Sequence, residues 1–293
     1  MACSTFKYGA QVRANGIRQH YLRYGESSGA DGCRDALIVV PGITSPAITW
    51  GFVGERLGRR FETYVLDVRG RGLSESSTTM DYGLDAQAAD VICLARTLGL
   101  ERWAIVGHSM GARIAIRAAA REPAGLTRLV LVDPPVSGPG RRPYPATLAW
   151  YVDSIAEAVR GMGPDAIRRY CPTWTEAQLQ LRAEWLHTCD ERAVRASFDG
   201  FHQDDIHADL PRLKVPSLLI TAERGDVVRP QDVAELQSLA PGMQAVRVPD
   251  AGHMVPWDNE EGFYSAFGDF LGFPLEARVP ERAFFKEKPS VRQ

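Results

Sequence analysis

Residues 103–121 read WAIVGHSMGARIAIRAAAR, and the pattern of this segment is the strongest indication of the fold. The apolar run at 103–106 is typical of a buried parallel strand, and the segment 109–121 predicts a helix. The pentapeptide Gly107-His108-Ser109-Met110-Gly111 between them matches the pattern G-x-S-x-G. In this strand–turn–helix context the turn is so sharp that glycine is needed on both sides of the serine, whose hydroxyl is held above the sheet. We therefore predict that Ser109 is a nucleophile at the positive end of a helix, where developing negative charge is stabilised.

Further strand and helix signals alternate on both sides of this turn. Short apolar runs predict strands at 36–40, 64–67, 129–132, 215–221 and 245–248. Helical spacing recurs at 85–98, about 232–239 and about 260–270. Because strands that alternate with helices pair in parallel through right-handed crossovers, the sequence predicts an α/β fold with a mostly parallel, doubly wound sheet.

Residues 135–210 break this alternation. They contain no strand-like run, are rich in helix formers, Trp, Arg and His, and have prolines at both ends. We predict that they form a helical cap inserted into a core made of residues 1–134 and 211–293. The tail after about residue 273 is rich in proline and charge, and we expect it to be peripheral.

Composition excludes several classes of function. The 293 residues are 45% hydrophobic and 24% charged, as in an ordinary globular protein, and the net charge of -2 offers no basic excess for nucleic acid. No apolar run approaches the roughly 18 to 20 residues of a membrane span, and residues 1–7 lack the apolar core of a signal peptide. The cysteines form no CxxC pair, which favours reduced thiols and a cytoplasmic location. They are Cys3, Cys33, Cys93, Cys171 and Cys189.

A serine hydroxyl needs a base near neutral pH, and His253 is the predicted one. It lies in the sequence Asp250-Ala251-Gly252-His253-Met254, after the last predicted strand and before the last predicted helix. The carboxyl ends of parallel strands meet at one edge of a sheet, so His253 and Ser109 should meet there. His108 is adjacent to the nucleophile, and we expect it to point away and support the turn.

Two aspartates are candidates for the acid that orients the imidazole of His253. Asp226 follows the predicted strand 215–221 and gives the usual chain order of serine, acid and histidine. Asp133 ends the strand before it and could also reach a histidine from that edge. The commoner chain order favours Asp226, and the sequence leaves both open.

An oxyanion formed at Ser109 needs two backbone N–H donors. We predict that these are Met110, which follows the nucleophile, and Ile43, in the loop after the strand 36–40. Together with these features, the segment 67–74 resembles the D-x-R-G-x-G-x-S loop of the α/β-hydrolase superfamily. The resemblance covers nearly the whole chain except the tail. One departure is Pro41, where many members of that superfamily have a histidine.

Three segments, 41–50, 132–142 and 183–189, resemble a branch of the superfamily that removes formyl groups from amides. The resemblance implies a serine hydrolase that cleaves a formyl C–N bond through a formyl-enzyme. It also implies a small anionic substrate with a cis-alkene carboxylate. This chemistry requires neither a metal nor an organic cofactor, and the sequence has no HExxH motif or Cys-His cluster.

The carboxylate of such a substrate needs a positive or hydrogen-bonding partner. The predicted cap offers several candidate residues, with one tryptophan among them as a pocket wall: Arg141, Arg142, His187, His202 and Trp185. His207, Arg69 and Arg71 are further candidates. Arg113, Arg117 and Arg121 recur at i, i+4 and i+8, which predicts the outer, solvated face of the helix after Ser109.

Other readings remain open at this point. The same site could serve an esterase or a C–C hydrolase of a small carboxylate-bearing substrate, or a hydrolase-fold receptor that turns over slowly. A dehalogenase is disfavoured because that chemistry needs an aspartate where Ser109 stands, and a serine-independent oxygenase would keep its activity in Ser109→Ala. The sequence predicts no nucleic-acid or membrane partner and leaves the oligomeric state open, a homo-oligomer included.

Overall fold

The computed structural model describes residues 4–26, 35–272 and 274–275, and in these residues eight strands form one sheet. The order across the sheet is β1-β2-β4-β3-β5-β6-β7-β8. The strands are β1 (Phe6–Ala14), β2 (Ile17–Tyr24), β3 (Ala36–Val40), β4 (Thr63–Leu66), β5 (Trp103–His108), β6 (Leu126–Val132), β7 (Ser217–Ala222) and β8 (Gln244–Val248). Cys3, Cys33 and nearly all of the predicted peripheral tail lie outside the described residues.

The six strands from β3 to β8 pair in parallel, which confirms the predicted fold class. Strands β3, β4 and β5 are buried along their whole length, as expected for short apolar runs covered on both faces. The carboxyl ends of β3, β5, β6 and β7 therefore meet at one edge of the sheet, and the candidate site forms there.

An N-terminal hairpin was not predicted from the sequence. Strands β1 and β2 pair antiparallel, and β2 adds antiparallel to β4 at the edge of the parallel sheet. Asn15 and Gly16 connect the two strands with positive φ angles of 52° and 76°. An Asn-Gly dipeptide between alternating residues is a strong hairpin signal, so the sequence did contain the information.

Helices cover the sheet, and among the described residues each is too short or too polar to cross a lipid bilayer. They are α1 (Gly51–Gly58), α2 (Leu84–Thr97), α3 (Met110–Ala119), α4 (Leu148–Val159), α5 (Pro164–Arg168), α6 (Glu176–Trp185), α7 (Glu191–Gln203), α8 (Pro230–Leu239), α9 (Val255–Asp258) and α10 (Glu260–Ser265). The last helix, α10, ends at Ser265 and not near residue 270, because residues 266–271 form turns.

Four helices, α4 to α7, lie between β6 and β7, and we call them the cap helices. Arg113 of α3 connects the core to them, since it donates to the carbonyl oxygens of Gly200 and Asp204 at the end of α7 at 3.0 and 2.8 Å. It is 1% exposed, so the prediction that it faces solvent was wrong. The reason is that Arg113 packs against the end of α7, whereas Arg117 is half-buried and Arg121, two residues beyond α3, is exposed.

Candidate active site

The turn from β5 to α3 has the strained geometry that the pentapeptide predicts. Ser109 adopts φ 53° and ψ -119°, a conformation that L-residues rarely take. A β-carbon added at Gly107 would lie 2.4 Å from the Gly111 carbonyl oxygen, and one added at Gly111 would lie 1.9 Å from the Val40 carbonyl oxygen. Both glycines are therefore required sterically, and the turn places Ser109 at the N-terminus of α3.

Ser109, His253 and Asp133 form one hydrogen-bonded chain. The Ser109 Oγ lies 2.9 Å from His253 Nε2, and His253 Nδ1 lies 2.7 Å from Asp133 Oδ2. The Asp133 side chain is completely buried, and Ser109 is 2% exposed. With the ring proton on Nδ1 donated to Asp133, Nε2 is free to accept the hydroxyl proton of Ser109. This is the arrangement that activates a serine nucleophile.

The preference for Asp226 as the acid was wrong. Asp226 is exposed at the rim of the site and accepts hydrogen bonds from Arg229 Nε and Nη2 at 2.6 and 2.9 Å. That hydrogen bonding lowers the pKa of Asp226. Asp133, by contrast, turns inward directly after β6 with φ 45°, and the Ala222 N–H donates to its Oδ1 at 3.3 Å. The backbone turn after β6, and not the commoner chain order, places the carboxylate beside His253.

The two predicted oxyanion donors lie on either side of the nucleophile. Ile43 is in the loop after β3 and lines the cavity in front of Ser109, and Met110 is the first residue of α3. Within the described part of the chain neither backbone N–H has a hydrogen-bond partner. Two free amides next to a serine are what stabilisation of an oxyanion requires.

Arg71 lies behind both of these residues. Its Nε donates to the Ile43 carbonyl oxygen at 3.1 Å, and its Nη2 lies 3.5 Å from Met110 Sδ. It is 1% exposed, and burial lowers the pKa of Arg71 to about 10, so it stays charged at neutral pH. Arg71 does not line the cavity, which contradicts its candidacy as a substrate ligand, and Arg69 is paired with buried Asp90.

A cavity of about 630 Å³ opens in front of Ser109, between the sheet edge and the cap helices. Its walls include Tyr144, Tyr151 and Arg182, which the sequence did not single out, together with Trp150 and Trp174. The hydroxyls of Tyr144 and Tyr151 lie 2.9 Å apart, and burial raises the pKa of both, so they remain protonated. The Tyr144 ring packs edge-on against His253 with ring centres 6.4 Å apart.

The predicted substrate residues of the cap do not line this cavity. Arg141 forms an ion pair with Glu235, and Arg142 donates to Asp232 and to the backbone of the β7–α8 loop. His202 Nδ1 lies 3.2 Å from the Phe198 carbonyl oxygen one turn back on α7. None of the five predicted residues, which include His187 and Trp185, is among the cavity walls. These predictions were therefore wrong. Arg141 and Arg142 lie before α4 and bond acidic residues of α8. The other three lie in or next to cap helices, whose orientation is set by packing that local sequence does not reveal.

Comparison with known protein families shows which family the chain belongs to. The family described as alpha/beta hydrolase fold matches residues 35–260. The chain belongs to the α/β-hydrolase family. This match confirms the resemblance to the α/β-hydrolase superfamily that was seen in the turn at Ser109 and in the segment 67–74.

This α/β-hydrolase is similar to named enzymes over almost its whole length. It is 61% identical over 272 residues to N-formylmaleamate deformylase of Pseudomonas putida, covering 93% of this chain and 99% of that enzyme. A crystal structure of N-formylmaleamic acid deformylase from Pseudomonas putida S16, a Ser-to-Ala variant, matches with a TM-score of 0.83 and 54% identity, covering 88% of this chain and 99% of that one. The 2-(acetamidomethylene)succinate hydrolase of Mesorhizobium japonicum is 28% identical over 247 residues, covering 78% of this chain and 85% of that enzyme.

His108 holds the loop that carries His253. Its ring is 1% exposed, and its Nε2 lies 2.9 Å from the carbonyl oxygen of His253. Burial lowers the pKa of His108 from 6.5 to about 3. The ring is therefore neutral at physiological pH, and its Nε2–H donates to the carbonyl. This contact explains how a histidine next to the nucleophile supports the site.

His108→Gln is expected to flatten the dependence of folding stability on acid pH. The unfolded chain takes up a proton at His108 near pH 6.5 and the folded chain only near pH 3, so this group destabilises the fold as pH falls through that window. A glutamine keeps an N–H donor and cannot titrate. The slope of unfolding free energy between pH 6 and pH 4.5 should be smaller by about 1.4 kcal/mol per pH unit in the variant.

Urea unfolding at several pH values measures this slope. His187→Gln, at an exposed position, is the matched control for loss of a histidine. An unchanged slope in His108→Gln would contradict the buried neutral state of the ring.

Proposed function

We propose that this α/β-hydrolase is an N-formylmaleamate deformylase, which converts N-formylmaleamate and water into maleamate and formate. The observation that carries the proposal is the 61% identity to the Pseudomonas putida enzyme, which aligns over 99% of its length. The linked side chains of Ser109, His253 and Asp133 supply the machinery that amide hydrolysis requires.

In the first step, Ser109 Oγ attacks the formyl carbon. A C–O bond forms, the carbonyl electron pair moves to the oxygen, and His253 Nε2 takes the hydroxyl proton. Asp133 stabilises the resulting imidazolium, because its buried carboxylate accepts from Nδ1. The backbone N–H groups of Ile43 and Met110 bind the oxyanion, and the charge of Arg71 behind them adds to the positive potential there.

In the second step, the tetrahedral intermediate loses its nitrogen. The C–N bond breaks, and His253 returns the proton to the nitrogen. Maleamate departs, and Ser109 now carries the formyl group as an ester. The leaving nitrogen belongs to an amide and is stabilised by its own carbonyl group, so it departs more readily than an alkylamine. Water, deprotonated by His253, then attacks the formyl ester, and collapse releases formate and the free serine.

The cellular location, the lack of a metal in the reaction and the kind of partner are also part of the proposal. Cys93, Cys171 and Cys189 are free thiols, which supports a reducing, cytoplasmic location. Nothing in the proposed chemistry uses a metal. Among the described residues no group of three or more His, Cys, Asp or Glu side chains is arranged to hold one. The proposed partner is a small anionic substrate, and nucleic acid and membranes have no part in the reaction.

Formate release from N-formylmaleamate by the purified protein tests the function. The expected result is one formate per substrate consumed, with steady-state turnover of about 1 per second or faster. The same assay on a panel of small carboxylate esters separates a deformylase from an esterase. A folded protein that hydrolyses the esters and releases no formate would contradict the proposed substrate while leaving the serine chemistry intact.

A further inference from the structure

Arg182 of α6 is a buried cation in the wall of the cavity. It is 3% exposed and belongs to the cavity that opens in front of Ser109. Its Nη1 and Nη2 donate to the carbonyl oxygen and to Oγ1 of Thr44, each at 3.1 Å.

The guanidinium of Arg182 has unused hydrogen-bond donors. Of its five N–H groups, the two bonds to Thr44 occupy two. The Nε atom is buried and has no partner among the described residues. No carboxylate in the described part of the chain forms an ion pair with it. A buried charge left in this state is costly, and an incoming anion would satisfy it.

Of the other buried arginines, Arg56 and Arg69 do not line the cavity, and Arg71 and Arg113 also have their donors engaged. Arg113 donates four hydrogen bonds to backbone carbonyls, and Arg71 donates to three carbonyls and to Ser197 Oγ. Neither lines the cavity. These two side chains hold the core and the cap together, and their donors are engaged within the protein.

The remaining charged groups of the cavity are engaged or exposed. Arg224 is exposed and donates through Nε and Nη2 to the Asp250 carbonyl oxygen. Asp226 is paired with Arg229, and Asp258 accepts from the Gly252 N–H and the Thr173 hydroxyl. Arg182 is therefore the fully buried cation available to a ligand in this part of the structure.

Arg182 is also held rigidly in relation to the reacting centre. Its guanidinium lies 5.6 Å from the centre of the Trp174 ring, which stacks on Trp257 at an interplanar angle of 12°. Its other contact, Thr44, immediately follows the oxyanion donor Ile43. A group bound to Arg182 is thus fixed relative to the atom bound at the oxyanion amides, which is what orientation of a short substrate requires.

We propose that Arg182 binds the substrate carboxylate and makes the enzyme selective for anionic substrates. This rests on the proposed function, in which four atoms separate the formyl carbon from the carboxylate carbon and a cis double bond fixes the spacing. A planar guanidinium suits a carboxylate because it can offer paired N–H donors.

The test compares Arg182→Gln and Arg182→Lys with the parent on N-formylmaleamate and on its neutral carboxamide counterpart. We expect kcat/KM for the anion to fall about 100-fold in Arg182→Gln, mostly through KM, and about 10-fold in Arg182→Lys. The value for the neutral compound should fall by less than about tenfold, because only a neutral hydrogen bond is lost, and thermal melts verify that the variants fold. Arg195→Gln, an exposed arginine on α7, controls for the loss of one positive charge.

A second readout does not depend on the proposed substrate. Maleate, a cis-alkene dicarboxylate, is tested as a competitive inhibitor of p-nitrophenyl acetate hydrolysis by the same proteins. Inhibition of the parent that weakens about 100-fold in Arg182→Gln supports the proposal even if no formate is ever released. The proposal would be overturned if maleate inhibited the parent and Arg182→Gln equally, or did not inhibit the parent. It would also be overturned if inhibition were lost in Arg224→Gln and not in Arg182→Gln.

Discussion

Ser109→Ala is expected to lower kcat for formate release by about 10⁶-fold, the loss typical of removing the nucleophile from a serine triad. No other hydroxyl lies within hydrogen-bond distance of His253 Nε2 in the described residues. The fold should be preserved, since alanine needs no more room than serine and the strained φ of 53° is required of either residue. Quenched single-turnover assays would measure the rate, because steady-state traces become too slow.

The variant also tests substrate binding apart from chemistry. Because only the Oγ is removed, Ser109→Ala should still bind N-formylmaleamate, as seen by isothermal titration calorimetry. Ser238→Ala, on the exposed end of α8, is the matched control and should keep full activity. More than about 1% residual turnover in Ser109→Ala would assign the attack to another group.

Asp133→Asn should reduce kcat/KM by about 10⁴-fold, whereas Asp226→Asn should change it less than threefold. The Ala222 N–H donates to Asp133 Oδ1, so an asparagine would keep its oxygen there and turn its amide toward His253 Nδ1. The asparagine amide is a hydrogen-bond donor, so His253 Nδ1 would have to accept a hydrogen bond from it. The ring proton would then sit on Nε2, where it blocks proton transfer from Ser109.

Steady-state kinetics on the two variants, with thermal melts to verify folding, decide between the aspartates. Asp226→Asn loses only its exposed contact to Arg229, which contributes little in water. Comparable losses in both variants, or a larger loss in Asp226→Asn, would contradict the assignment of Asp133.

Sequence reasoning located the parts of the site that depend on local backbone chemistry. The turn at Ser109 requires glycine at 107 and 111, so it can be recognised from the pentapeptide 107–111 between a predicted strand and a predicted helix. The histidine after the last strand is equally constrained by topology. The acid is not, because Asp133 and Asp226 both follow strands that end at the same edge, and only the turn taken after each strand separates them.

The cap residues that line the cavity could not be predicted from local sequence patterns, for a different reason. Arg182 and Trp185 lie three residues apart on α6, yet the first lines the cavity and the second does not. Which face of a cap helix meets the cavity depends on how that helix packs against loops distant in sequence, such as the one at Thr44. A pattern within one helix does not contain that information.

The buried arginines of the core have a consequence for how ligands enter and leave. Arg71 binds Ala193 and Ser197, and Arg113 binds the end of the same helix, so four hydrogen bonds fasten α7 to the sheet domain. Local opening is least costly where such bonds are fewest. We therefore expect local opening of the cap at α4 and α5, because α6 is itself bound to the loop after β3 through Arg182 and Thr44. Entry of substrate and release of maleamate should then occur beside α4 and α5. Slow hydrogen exchange in α6 and α7 with faster exchange in α4 and α5 would be the measurable result.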